Sequence, residues 1–265
     1  MPRLNAGGLS LFYQESGAGQ PVIFIPGLGS DHTAWGYQTR ALSQHFRCIA
    51  LDNRDVGQSD CAPGPYTTRD MAQDLIGLLD ALSIASADIV GWSMGSAIAQ
   101  EVAINWPERV RRLCLVASYH EGDPRGTERH TTFAELRRTL GLETYLKVVY
   151  PWSFTYRAYL RPGFVQGIMK RALESPFPQR QEAYERQVAA TVSHDARGRL
   201  SRIQSPTLVL VGDEDILTPS ERFSRAMARE IPNARLVVVP EVGHALLWEQ
   251  PDAVNQALQE FLLAA

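Results

Sequence analysis

The residues of this chain best placed to do chemistry are a serine, a histidine and a group of carboxylates in three separate loops. Ser93 lies in Gly91-Trp92-Ser93-Met94-Gly95, between the apolar run 87–90 and the helix-like stretch 96–103. A Gly-x-Ser-x-Gly pattern between a strand and a helix is a nucleophile elbow. The turn is too sharp for side chains at its flanks, and it holds the hydroxyl at its apex. The helix N-terminus behind it favours developing negative charge. A serine hydroxyl is a poor nucleophile at neutral pH, so it needs a base, and the base needs an acid to orient it.

Of the six histidines, His244 stands in Pro240-Glu241-Val242-Gly243-His244-Ala245, a loop directly after a strand-like run at 235–239. The preceding strand, 207–211, is followed by Gly212-Asp213-Glu214-Asp215-Ile216-Leu217-Thr218-Pro219, which offers three carboxylates. Loops after parallel strands open on one edge of the sheet, so all three loops are expected at the same edge. The chain order serine, acid, histidine is that of one of the known triad arrangements. His120 and Asp123 also follow a sheet strand and are candidates to contribute, or to form a hinge.

The elements that must position these loops alternate between strand and helix. Gly7-Gly8 reads as a hairpin turn into a strand at 9–14. Further strands are predicted at 22–25, 46–51, 87–90 and 112–117, with helices at 31–45, 68–82 and 96–103. Thr67 or Thr68 is the expected N-cap of the second of these helices. The rhythm resumes with strand 207–211, a helix at 220–229, strand 235–239 and a helix at 251–263. Such alternation implies a parallel sheet covered on both faces. From 119 to 200 no strand pattern occurs. Helices are predicted there at 132–140, 143–149, 163–173 and 179–192, punctuated by Pro151, Pro162, Pro176 and Pro178. The expected organisation is a core of 1–118 and 201–265, with 119–200 as a helical cap inserted after the sixth strand.

Composition narrows the partners. A net charge of −3 over 265 residues gives no strong pull toward nucleic acid or anionic lipid. The three cysteines form no CxxC pair, so neither a disulfide framework nor a zinc site is suggested. Cys48 and Cys114 lie in apolar runs and read as core thiols. The first eight residues carry no apolar stretch of secretory type, and no apolar run is long enough for a bilayer. A reducing, cytoplasmic setting is the expectation, with oligomeric state open.

The sequence resembles the α/β-hydrolase superfamily over almost its whole length. The likeness is to small capped hydrolases, among them esterases, enol-lactonases and cofactor-free haloperoxidases. The resemblance implies that a Gly-x-x-Asp-x-x-x-Pro loop supplies the acid, which selects Asp215 through Gly212 and Pro219, and that Gly243-His244 supplies the base. It also implies an oxyanion hole built from the backbone N–H groups of Leu28 and Met94. Two departures stand out. Pro26-Gly27 replaces the family's His-Gly, and Asp55 replaces Gly in the loop Asp52-Asn53-Arg54-Asp55-Val56-Gly57-Gln58-Ser59, which is expected to be structural.

The sequence is therefore read as a serine hydrolase of a small carboxylic ester or lactone, working through an acyl-enzyme on Ser93 with His244 and Asp215, and needing no metal or organic cofactor. Perhydrolysis, or carbon–carbon bond hydrolysis with the same triad, is the alternative chemistry. A hydrolase-fold ligand receptor with slow turnover is the alternative class. Trp92 and the cap aromatics Trp152, Phe154, Tyr156 and Tyr159 are candidates to line the substrate pocket.

Overall fold

A computed structural model of the protein describes residues 3–6 and 8–264. Its centre is an eight-stranded sheet: β1 (Arg3–Ala6), β2 (Leu9–Ser16), β3 (Pro21–Ile25), β4 (Arg47–Leu51), β5 (Ala87–Trp92), β6 (Val110–Val116), β7 (Thr207–Gly212) and β8 (Ala234–Val239). The strand order is β1-β2-β4-β3-β5-β6-β7-β8. The first two strands are antiparallel and the rest are parallel. Strand β1 was not anticipated as a separate element. It pairs with β2 through Ala6 and Leu9. Of the expected Gly7-Gly8 turn, Gly7 lies outside the described residues, and Gly8 takes φ 110°.

The helices are α1 (Gly36–Leu42), α2 (Thr68–Ala81), α3 (Met94–Asn105), α4 (Pro124–Ser153), α5 (Tyr156–Leu160), α6 (Phe164–Leu173), α7 (Gln181–Val192), α8 (Ser224–Glu230), α9 (Leu246–Glu249) and α10 (Pro251–Leu263). One apolar core joins α2, α3 and α8 to one face of the sheet, through Leu75, Leu79, Ile98, Val102 and Met227. The other, built on Trp35, Leu42, Leu246 and Leu258, holds α1, α9 and α10 to the opposite face. Cys48 and Cys114 are buried. Thr67 caps α2 in a reciprocal box with Asp70. No helix among the described residues is long and apolar enough to cross a membrane.

Helices α4 to α7 all fall between β6 and β7. The chain leaves and re-enters the sheet side by side: Glu121 bridges Asp195, and the Gly122 and Ala196 N–H groups donate to the His194 and His120 carbonyls at 2.8 Å. The helices expected at 132–140 and 143–149 form one run that begins earlier, at Pro124, and kinks at Gly141 (φ 79°, ψ 172°). The start was missed because its signals lie in the preceding loop, where the Asp123 carboxylate accepts from the Arg125 and Gly126 N–H groups. The helix expected at 31–45 is also shorter. A 3₁₀ turn over His32–Trp35 precedes α1, which stops at Leu42. Helix α8 starts four residues later than expected.

Strand order reverses around β3, which has β4 on one side and β5 on the other. In an open α/β sheet such a switch point opens a crevice at the carboxyl ends of the strands. Leu28 and Ser93 lie just beyond the ends of the two strands that flank it.

Candidate active site

The turn after β5 is strained in the way an elbow requires. Ser93 takes φ 54° and ψ −121°, a region that costs a non-glycine residue about 1–3 kcal/mol. Its neighbours explain how the turn is held. A Cβ on Gly91 would come within 2.3 Å of the Gly95 carbonyl oxygen, and one on Gly95 within 2.1 Å of the Ile25 carbonyl oxygen. Helix α3 is thus pressed onto the end of β3 with no space for a methyl group. Gly95→Ala is expected to destabilise the fold by about 3 kcal/mol or more, as overpacking against backbone does. Urea denaturation checks this, and a loss below about 1 kcal/mol would contradict the account.

Ser93, His244 and Asp215 form one hydrogen-bonded line. His244 Nε2 lies 2.9 Å from Ser93 Oγ, and His244 Nδ1 lies 2.9 Å from Asp215 Oδ2. With Nδ1–H donating to the carboxylate, Nε2 is left free to accept the serine proton. The Asp215 carboxylate accepts from Leu217 N–H and Thr218 N–H, both at 2.9 Å, and from Thr218 Oγ1 at 2.7 Å. Burial pushes its carboxyl up, but the His244 ring and the Thr218 donors outweigh burial and hold it below the usual carboxylate range. The other two acids of the loop face elsewhere. Asp213 accepts from Val242 N–H, and Glu214 pairs with Arg157 at 2.6 Å.

Leu28 and Met94 flank the serine. A Cβ on Gly27 would lie 3.2 Å from Ser93 Cβ, so the segment after β3 runs against the nucleophile. Among the described residues, neither the Leu28 nor the Met94 N–H donates to a protein acceptor. Two backbone donors beside one hydroxyl can hold an oxyanion.

The cavity at Ser93 and His244 has a volume of about 40 Å³ and is walled by Tyr119, Asp123, Arg129, His130, Thr191 and Leu217. None of the aromatics expected as pocket residues is among them, and each has another place. Trp92 is buried, donates its indole N–H to the His244 carbonyl at 3.1 Å, and packs edge-on against Trp248. Phe154 is buried and stacks on Trp248. Trp152 packs against Phe133 and, with Phe154 and Tyr156, borders a separate cavity of about 360 Å³ that does not include Ser93. Tyr156 and Tyr159 are exposed. Of these insertion aromatics, Phe154 is the one that packs on the core, against Trp248.

The walls that sequence reasoning missed include polar side chains beside the apolar Val192, Leu217 and Phe223. Tyr119 follows β6 directly and could have been found from its place at the sheet edge. Arg129 and His130 could not, since their positions depend on where α4 begins. The Tyr119 and Thr191 hydroxyls lie close to one another but neither makes a well-formed hydrogen bond, and Arg129 Nε is also unpartnered. His130 donates from Nδ1 to the Gly126 carbonyl at 2.7 Å. Burial, and then the Arg129 charge, push its pKa down to about 4. His120 is not in the cavity. It is buried against Phe223, beside the strand-like bridge where the insertion joins the sheet. Asp123 caps α4 and also lines the cavity.

The family model of the alpha/beta hydrolase fold matches residues 20–251. The chain belongs to the α/β-hydrolase superfamily. Its activity is hydrolase chemistry of that type, and its mostly parallel sheet flanked by helices is the fold class the sequence predicted. A candidate carbamate hydrolase, RutD, from Azorhizobium caulinodans is 31% identical over 98% of both chains. A thermophilic esterase from Thermogutta terrifontis superposes with a TM-score of 0.88 at 30% identity, covering 99% of this hydrolase and 98% of that chain. The enol-lactonase from Burkholderia xenovorans LB400 gives a TM-score of 0.90 at 28% identity, covering 99% and 100%.

Proposed function

We propose that this hydrolase cleaves a small carboxylic ester or lactone through an acyl-enzyme on Ser93. The observation that carries this reading is the continuous line Ser93–His244–Asp215, with both bonds at 2.9 Å beside two uncommitted backbone donors. His244 takes the Ser93 proton as Oγ attacks the carbonyl, and the Leu28 and Met94 amides hold the oxygen as it becomes negative. His244 then returns the proton to the departing alkoxide, and the alcohol leaves. A water that gives its proton to His244 attacks the acyl-enzyme, and His244 passes that proton to Ser93 Oγ as the acid departs. Asp215 keeps the imidazole in the working tautomer throughout.

The cavity favours short substrates. A volume of about 40 Å³ holds only a few waters. Kinetics with esters, lactones and diketones as substrates test the reading. Multiple turnover on short esters or lactones is the expected result. Turnover on diketones alone, or a single turnover that stops with product bound, would contradict it.

The walls of the cavity, rather than the aromatics, should set substrate preference. Substitutions at Tyr119, Thr191 and Leu217 should change the ranking of esters of increasing acyl length by roughly 10- to 200-fold, the range for pocket contacts of 1–3 kcal/mol. Tyr156→Ala and Tyr159→Ala should leave that ranking in place. A scan of kcat/KM against acyl length separates the two sets, and a changed ranking in the tyrosine variants would restore those residues to the pocket.

A further inference from the structure

The donors on the two sides of Ser93 are held very differently. Met94 is the first residue of α3 and is fixed by the elbow itself. Leu28 belongs to the short segment after β3, and its position depends on what grips that segment. Asn53 Nδ2, from the core, donates to the Pro26 carbonyl at 3.1 Å at the start of that segment, and the helical insertion grips it beyond Leu28, at Gly29. Gln187, on α7, is fully buried, and its Oε1 accepts from the Gly29 N–H at 3.1 Å. Its Nε2 donates to the Arg54 carbonyl at 2.8 Å, and Gln179 Nε2 donates to both Gln187 Oε1 and the Asp55 carbonyl, each at 3.1 Å. The amide can face only one way. Reversed, it would set an oxygen against the Arg54 carbonyl and an NH₂ against the Gly29 N–H.

The residue beside Gln187 on α7 clamps the same place. Arg186 pairs in two-pronged fashion with the buried Asp55 carboxylate at 2.7 and 2.8 Å, and Tyr66 Oη donates to it at 2.7 Å. Asp55 has φ 72°, a conformation natural to the glycine that the family places there. Here that position carries a carboxylate, and the carboxylate reaches the insertion.

From these contacts we infer that Gln187 is a positioning residue: the insertion completes the oxyanion hole by pinning Gly29, and with it the Leu28 N–H, against Ser93. The inference rests on the assignment of Leu28 as an oxyanion donor. A misplaced donor weakens binding of the transition state while leaving ground-state binding much as it was. The defect should therefore fall on kcat, and it should not change the shape of the pH profile, since His244 and Asp215 are untouched.

The test uses Gln187→Met, which keeps the length and removes the acceptor, and Gln187→Glu, whose buried carboxyl in its protonated form keeps an acceptor oxygen for Gly29 and an O–H donor for the Arg54 carbonyl. With a short p-nitrophenyl ester, Gln187→Met should lower kcat by about 10- to 100-fold, less than the roughly 10²–10³-fold for removing one oxyanion donor outright. KM and the form of the pH profile should stay close to wild type, and Gln187→Glu should recover most of the turnover. A Gln187→Met enzyme with wild-type kcat would overturn the inference. So would equal losses in both variants, or a loss confined to KM. If Gln187→Met does not fold, Gln187→Asn, which shortens the side chain and withdraws the acceptor from Gly29, must show the same loss of kcat at unchanged KM, and wild-type kcat in it would overturn the inference. Failure of the underlying reading is distinguishable, because it would appear as turnover surviving in Ser93→Ala with Gln187 intact.

Discussion

Ser93→Ala should reduce ester turnover by roughly 10⁴–10⁶-fold while the protein stays folded, because serine and base act as a unit and neither works alone. The Ser93 side chain donates to nothing but His244, so its removal leaves no other buried group unpaired. The elbow itself survives, since its shape is set by Gly91, Gly95 and the packing of α3 on β3. Circular dichroism and thermal melting should match wild type, while kcat falls to background. A folded variant that keeps more than a tenth of wild-type activity would show that another group attacks the substrate.

Asp215→Asn should cost roughly 10⁴-fold in kcat, the size of loss seen when the acid of such a triad becomes an amide. The structure gives the reason. The backbone donors of Leu217 and Thr218 hold Oδ1, so an asparagine places its NH₂ toward His244 Nδ1. Two donors cannot face each other, so the ring switches tautomer and Nε2 carries the proton. It can then no longer accept one from Ser93. Asp213→Asn and Glu214→Gln should cost far less, because neither side chain reaches His244. Rates of the three variants on one short ester check this, and a larger loss in Asp213→Asn than in Asp215→Asn would contradict the assignment.

The sheet and the three loops were legible because each left a local mark. Short apolar runs alternate with helical stretches, glycines flank Ser93, and Gly212 and Pro219 bracket the acid. The contacts between the insertion and the core were not legible. That Gly95 abuts Ile25, that Asp55 meets Arg186 and that Gln187 holds Gly29 are pairings across many residues of sequence, with no periodicity to announce them. The same limit explains the cavity walls. Arg129 and His130 face Ser93 only because α4 starts at Pro124, a start set by a capping aspartate in the preceding loop. The aromatic stretch from Tyr150 to Tyr159 is conspicuous for its apolar bulk, but its members have separate places: Phe154 packs on Trp248, Trp152 on Phe133, and Tyr156 and Tyr159 are exposed.

The central claim, an acyl-enzyme on Ser93, is tested most directly by acid-quenching the enzyme during turnover of a short p-nitrophenyl ester and mapping its peptides by mass spectrometry. The account predicts one acyl group, on the peptide that contains Ser93, and none in Ser93→Ala run alongside. An acyl group on a different residue, or a pre-steady-state burst of p-nitrophenol with Ser93 unmodified, would contradict it.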